Sequence, residues 1–368
     1  MPIEQHAATT EAHRSIVELC RSGLDSVALR QAVIGELRRV IAFDACCMGT
    51  IDPGTLLITS EVSEGIPDHA FSLAAENEYL VEDVYKFSQL ARSAQRYGIL
   101  SQGMHGDLQH SHRYRSVMPT VGATHELRAA FVSHRACWGG VTLFRRPDSP
   151  DFSRTEGQFL AQLSAPLAEG FRLAVRQDRS PVVVDQQGPG LIVLGADGVV
   201  QAINGAAHAW LDELCESRRR WDDGWLPAPI HEVAMRARLI AQRGESPPLQ
   251  AHLRVQTRAG RWLIIHGSYL SRPDQRMIQT AIILEMAPAS EIIQLLMQAY
   301  VFTVREREVV QLVLQGLSSI EMAQTLHVSS HTVQDHLKAI FMKVGVRSRG
   351  ELVAKMLGDH YLPYVGPR

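Results

Sequence analysis

FTVREREVVQLVLQGLSSIEMAQTLHVSSHTVQDHLKAIFMKVGVRSRGELVAKML, residues 302–357, holds the most regular pattern in the chain. Three S/T-x-x-E signatures punctuate it: Thr303 with Glu306, Ser318 with Glu321 and Ser348 with Glu351. Each sets a hydroxyl and a carboxylate where they cap the first turn of a helix reciprocally. A fourth start lies at Ser329, ahead of Thr332. The first helix runs from about Val304 to Gln315 with Val309, Leu312 and Val313 inward, and Gly316 follows as the left-handed stop. The second is expected to bury Ile320, Ala323 and Leu326, before a turn at His327-Val328-Ser329.

The third helix carries Val333, Leu337, Ile340, Phe341 and Val344 on its apolar face. At roughly 100° per residue, His331, Asp335, Lys338 and Met342 stand opposite, with Gln334 on the flank. Thr332 lies in the first turn, where hydroxyls and backbone amides hold phosphates. Gly345 ends this helix, and Arg347 and Arg349 follow at a spacing suited to the DNA backbone. A fourth helix shows a stripe of Leu352, Val353, Met356 and Leu357. Short helices joined by tight turns are the layout of a helix-turn-helix reader of DNA.

The segment resembles the LuxR-type helix-turn-helix through T-x-R-E-x-E-V at 303–309, G-L-S at 316–318, E-M-A at 321–323, L-x-V-S at 326–329, T-V at 332–333, H-L at 336–337, K-V-G-V at 343–346 and R-S-R at 347–349. The resemblance implies a four-helix domain that binds double-stranded DNA as a homodimer, its third helix in the major groove. RNA polymerase is a further candidate partner. The DNA-contacting set expected on this basis is Ser329, His331, Thr332, Gln334, Asp335, Lys338, Lys343, Arg347 and Arg349. Family members often carry a basic residue after the T-V pair, where this chain has Gln334 and Asp335. Gln pairs with adenine and Asp accepts from cytosine; the alternative is that Asp335 is a solvated surface residue. His336 is read as packing or capping.

Over residues 296–368 eight basic residues face six acidic ones, a weak positive excess, but from Lys338 to Lys355 five basic residues face Glu351 alone. Modest non-specific affinity with a localised positive face is therefore expected. The whole chain, 368 residues with formal net charge −2, has room for two or three domains and is not coated in nucleic acid. It lacks an apolar run long enough for a membrane helix and an apolar signal core near the N-terminus, so cytoplasmic residence without membrane association is expected. Cys20, Cys46, Cys47, Cys137 and Cys215 form no C-x-x-C pair, and ordinary packing is the expectation for them.

Upstream, helices over about His13–Ile41, strands Phe43–Ile51 and Leu56–Val62 around an Asp52-Pro53-Gly54 turn, a strand pair Leu127–Ser133 and Trp138–Arg145, and a helix capped by Ser153 and Glu156 predict an α+β domain over 1–177. The layout, with NEYLVEDVYKF at 77–87 and HELRAAFVSHRACWGGVTLFRR at 125–146, resembles a GAF-like sensor. That implies a small-molecule effector pocket between the sheet and the 76–124 segment, with no ligand residue assigned. His105, His110 and His112 match no metal-site spacing; their tract reads as a polar loop, with Arg113 and Arg115 open to anions. Phe131 and Trp138, at strand spacing, read as core.

Residues 181–288 give two strands around Gly195-Ala196-Asp197-Gly198, a helical middle and three more strands, resembling a PAS-like α+β domain through LIVLGADGVVQAINGAA at 191–207. Trp210, Trp221 and Trp225 raise a ligand-stacking role that the polar run around the last two disfavours. Ala287-Pro288-Ala289-Ser290 is the linker, with Ser290 expected to cap a connecting helix over 289–299. The chain is thus read as multidomain, ending in an all-α helix-turn-helix domain over 300–368. The sequence lacks a P-loop, a G-x-S-x-G elbow and a complete H-E-x-x-H, so no enzyme, metal or cofactor is expected. A protein-interaction module with weakened DNA binding is the alternative, and a small-molecule enzyme the more distant one.

Overall fold

Antiparallel strand pairing and local turn chemistry shape the larger part of the chain. The computed structural model describes residues 2–176, 188–215, 226–243, 250–271 and 278–358. These divide into one unit reaching residue 286 and a second made of 287–358 with the 259–262 segment.

The first unit opens with helices α1 (Pro2–Leu19) and α2 (Ser26–Arg38), the latter capped by the Asp25 carboxylate at the amides of Val27 and Ala28. Strands β1 (Ala45–Ile51) and β2 (Ile58–Glu64) follow, and Asp52 Oδ1 accepts the Gly54 amide at 2.8 Å in the turn between them. After helix α3 (His69–Tyr79) come a short strand β3 (Tyr97–Ile99) and the hairpin β4 (His125–Ser133) and β5 (Ala136–Arg145). The hairpin turns at His134 and Arg135, both with positive φ, the geometry that matches strand twist. The sheet order is β2-β1-β5-β4-β3. Helix α4 (Arg154–Val175) begins in a reciprocal box between Ser153 and Glu156. Gly139 and Gly140 leave room for rings: an added Cβ would meet Phe171 at 2.5 Å and Phe87 at 2.3 Å respectively. Phe131 meets Phe171 edge to face at 5.9 Å, so it is core.

A second five-stranded sheet follows from β6 (Gly190–Leu194), β7 (Val200–Ile203), β8 (His252–Gln256), β9 (Trp262–Ser271) and β10 (Ile278–Met286). Its order, β7-β6-β10-β9-β8, repeats that of the first. Helices α5 (Gly205–Leu214) and α6 (Ala228–Arg243) accompany it. Trp210 is fully buried and donates to the Gly188 carbonyl at 3.3 Å. It is a core residue; Trp221 and Trp225 lie outside the described residues.

The two sheets are joined by buried polar contacts. Arg254 on β8 grips Asp52 through Nε (2.8 Å) and Nη2 (2.7 Å). Glu232 on α6 accepts the Tyr79 hydroxyl and the Ile58 amide with the same oxygen. Arg236 lies over the Tyr79 ring at 5.0 Å and donates to the Thr55 carbonyl. Burial pushes the Glu232 carboxyl up to about 7.

Several expectations need correction. The 105–115 tract is helical in part, with Leu108–His110 and His112–Ser116 forming short turns, because Ser111 caps the second of them. Arg113 is not a solvated loop residue: it is buried and pairs with Glu126 at 2.8 Å. Burial pushes the thiols of Cys20 and Cys46 up to about 12 and that of Cys137 to about 11, which keeps them from acting as reactive thiolates.

The second unit is helical: α7 (Ala289–Ala299), α8 (Val304–Leu314), α9 (Ser319–Leu326), α10 (Ser330–Val344) and α11 (Arg349–Val353), closed by a wide turn over Ala354–Gly358. Ser290 lies inside α7, whose N-cap is Pro288 without a side-chain cap. Reciprocal boxes form at Thr303/Glu306 and Ser318/Glu321. The third signature differs: Ser348 caps the Glu351 amide, but the Glu351 carboxylate reaches one residue further back, to the Arg347 amide at 2.8 Å. Ile320 is 67% exposed, and Met322 takes the buried position expected of it, because Ile320 falls in the first turn of α9 on its outer side. Glu306 is buried and also accepts the Lys343 ammonium of α10 at 2.6 Å. Burial alone would raise its carboxyl; Lys343 and the Thr303 amide outweigh that and hold it below the usual range.

Two outcomes follow from these carboxylates. Glu232 titrates near 7 when folded against an ordinary 4.5, so the folded state binds more protons between those values. Stability is therefore highest below pH 4.5 as far as this group is concerned and falls by the order of 3 kcal/mol as pH rises through 7; urea unfolding at pH 5 and pH 8 of wild type and Glu232→Gln checks it, the variant losing that slope. Glu306→Ala removes a cap and a cross-helix ion pair and is expected to destabilise the C-terminal unit by about 1–2 kcal/mol in thermal or chemical unfolding.

Candidate nucleic-acid interface

The turn between α9 and α10 is set by His327 in the left-handed region, φ 55°, which lets the Val328 amide return to the Ala323 carbonyl at 3.0 Å. Ser329 then starts α10, its hydroxyl accepting the Thr332 amide at 3.1 Å and meeting the Thr332 hydroxyl at 2.9 Å. Val333, Leu337, Ile340 and Val344 are buried and fix the rotation of the helix, with Phe341 half-buried beside them. His331, Gln334, Asp335 and Lys338 consequently face solvent, and Met342 continues the row at 78% exposure. His336 is half-buried on the flank.

The polar groups along this row contact one another. Asp335 lies 3.1 Å from His331 and 3.7 Å from Lys338. Exposed pairs at this spacing contribute about 0.3–0.5 kcal/mol and exchange readily for other partners. The arrangement presents a donor, an acceptor and a cation on one side of a helix about one groove wide, with an open N-terminus whose amides attract anions.

The nine residues expected at DNA do not stand alike. Ser329, His331, Thr332, Gln334, Asp335 and Lys338 gather at the N-terminal half of α10, and Arg347 is exposed beyond its end. Lys343 is committed within the domain, to Glu306 and to the Val301 carbonyl at 3.1 Å. Arg349 is also engaged, donating to the Leu317 carbonyl at 3.1 Å and to the Ser319 hydroxyl at 2.5 Å. Gln334 reaches the same hydroxyl at 2.8 Å. Ser319 was not singled out from the sequence; it ties α9, α10 and α11 together through partners 15 and 30 residues away, a relation that local spacing does not encode.

Among the described residues no cluster of His, Cys, Asp and Glu has the geometry of a metal site, and no helix is long and apolar enough to cross a membrane.

Residues 300–356 match the family model of the bacterial regulatory proteins of the luxR family. The spore germination protein GerE of Bacillus subtilis is 38% identical over 55 residues, which are 15% of this chain and 74% of that protein. The Mycobacterium tuberculosis protein Rv0890c, named as an HTH-type transcriptional regulator, is 49% identical over 51 residues, 14% of this chain. The chain spans only 6% of the length of that mycobacterial relative. Among solved structures, Escherichia coli SdiA aligns over 93% of this chain and 94% of its own at 10% identity and a TM-score of 0.34. A VqmA–ligand–DNA complex from Vibrio aligns over 48% of this chain and 86% of its own at 17% identity and a TM-score of 0.23. Both structural likenesses are too distant to bear on what this chain binds. The C-terminal match is of another order, and through it the chain belongs to the luxR family of bacterial regulatory proteins.

Proposed function

We propose that this protein is a sequence-specific transcription regulator that binds double-stranded DNA as a homodimer, places α10 in the major groove, and takes its signal through the domains upstream. The observation that carries the reading is the solvent-facing row His331, Gln334, Asp335 and Lys338 on a helix whose rotation is fixed by four buried apolar residues. Gln334 and Asp335, with His331, read base edges; Ser329, Thr332, Lys338 and Arg347 contact phosphates. Lys343 and Arg349 act by holding the helices in register, given their contacts inside the domain.

The shared 2-1-5-4-3 strand order of the two sheets supports reading 1–177 as a GAF-like sensor and 181–288 as a PAS-like domain that relays or dimerises. The protein acts without catalysing a reaction in this reading. A second reading, an interaction module with weakened DNA binding, draws on one feature: Asp335 sits between His331 and Lys338 and offsets the charge of the Lys338 ammonium.

Selection of bound fragments from random and genomic DNA at moderate salt tests the proposal on the full chain. A recovered common motif supports it, and absence of any enriched sequence from a folded dimer favours the second reading. On the recovered site, Lys338→Ala is expected to weaken binding to all sequences alike and to lower the salt slope by about one. Asp335→Ala is expected to change which bases are preferred at one position; an unchanged preference in repeat selection removes it from the readers.

A further inference from the structure

The exposed row of α10 is held unevenly. Asp335 meets His331 and Lys338, so these three side chains make their contacts within α10 itself. Gln334 reaches another helix: its Nε2 donates to the Ser319 hydroxyl, at the start of α9, at 2.8 Å. Ser319 is in turn fixed from a third helix. Arg349 of α11 donates Nη2 to the same oxygen at 2.5 Å and Nη1 to the Leu317 carbonyl at 3.1 Å. A serine oxygen has two acceptor lone pairs, and they match the two N–H donors that reach it. Ser319 and Arg349 are half-buried and Gln334 is exposed, so the tether runs from the body of the helical unit out to the row.

Such a tether has two consequences for a side chain that reads a base. A free Gln is long and rotamer-rich, and ordering a side chain of that kind on binding weakens association by roughly two- to twelvefold. A Gln already held in place avoids much of that loss. The tether also leaves the reading edge open. The amide nitrogen carries two N–H groups. A two-point pair with adenine uses the carbonyl oxygen, which accepts from N6, and the N–H beside it, which donates to N7. The other N–H takes no part in that pair and stays on Ser319. Guanine presents acceptors at both O6 and N7, so one of them meets the amide oxygen of a Gln held this way and the fit is lost.

We propose that Ser319 is a positioning residue for base recognition: resting on the reading of α10 as the major-groove helix, it holds the Gln334 amide from α9 so that the free amide edge selects adenine. Ser319 itself touches no base, and Arg349 supports it from α11. The start of α9 does not depend on it, because Ser318 is the cap.

Repeat selection with the full chain, followed by titration of the recovered site and its single-base variants, compares wild type with Gln334→Ala, Ser319→Ala and Ser319→Thr. Gln334→Ala marks the position this side chain reads, where wild type is expected to prefer adenine by roughly 5- to 150-fold. Ser319→Ala is expected to lower the preference at that same position by roughly two- to twelvefold and to leave the rest of the site unchanged. Ser319→Thr keeps a hydroxyl and is expected to restore the preference. Added to Gln334→Ala, Ser319→Ala is expected to change nothing further there. Equal weakening on every sequence means that Ser319 serves the fold alone and overturns its role in reading. An adenine preference that survives Ser319→Ala, a preference for another base at the Gln334 position, or a further loss in the double variant overturns it as well. A wild-type chain that enriches no sequence overturns the regulator reading and this inference with it; a recovered motif that Ser319→Ala leaves intact overturns the role of Ser319 and leaves the regulator reading standing.

Discussion

The Glu306 carboxylate is the constraint on which the C-terminal helical unit turns. It is nearly fully buried, and a carboxylate taken out of water must find donors or be expelled. It finds them in the Thr303 amide and the Lys343 ammonium, which belong to the start of α8 and the far end of α10. Lys343 also donates to the carbonyl of Val301, a residue at φ 54° just before α8. One carboxylate thereby caps one helix and ties it to another, whose roll is set by its four buried apolar residues. The roll of α10 decides which side chains it offers outward, so the identity of the exposed row depends on the packing that lies behind it.

The first unit follows the same rule with other residues. Arg30 is fully buried and donates to Ser26, Met48 and Ser60; Asp52 and Arg254 form a two-point pair; Arg113 is satisfied by Glu126, Asn77 and the Val84 carbonyl. Such contacts add little net energy relative to apolar packing, yet removing one partner costs about 3–5 kcal/mol because the other charge stays buried. Of these, the Asp52–Arg254 pair links the two sheets.

What was legible in the sequence was chemistry that closes within a few residues. The boxes at Thr303 and Ser318, the cap at Ser329, the box at Ser153 and the Asp52-Pro53-Gly54 turn each join groups two or three positions apart, and the structure forms them. Alternation located most of the strands as well. What escaped was non-local. Glu232 meets Ile58 across 174 positions, and nothing in the run around it distinguishes a solvated helix face from a buried one. Arg113 sat in a histidine-rich tract that reads as polar, although Glu126 and Asn77 draw it inside. Ile320 shows the opposite error, an apolar residue assigned to the core by type although its helix turns it outward. In the candidate interface, Lys343 and Arg349 were expected at DNA from the motifs they belong to; their contacts to the distant acceptors Glu306 and Leu317 were not legible there.

The contrast in contact range has a kinetic side. In the first sheet the central pairing joins β1 to β5 across roughly ninety residues, and the order repeated in the second sheet likewise pairs its first strand with its last. Chains must close long loops before such pairs form, which places folding of these parts toward the slow end of the millisecond-to-second range. Helices α8 to α11 are short, capped by their own neighbours and joined by turns of a few residues, so their search is mostly local and runs in microseconds to milliseconds. Closure of this local kind is expected to let the helical unit form sooner than the sheets upstream.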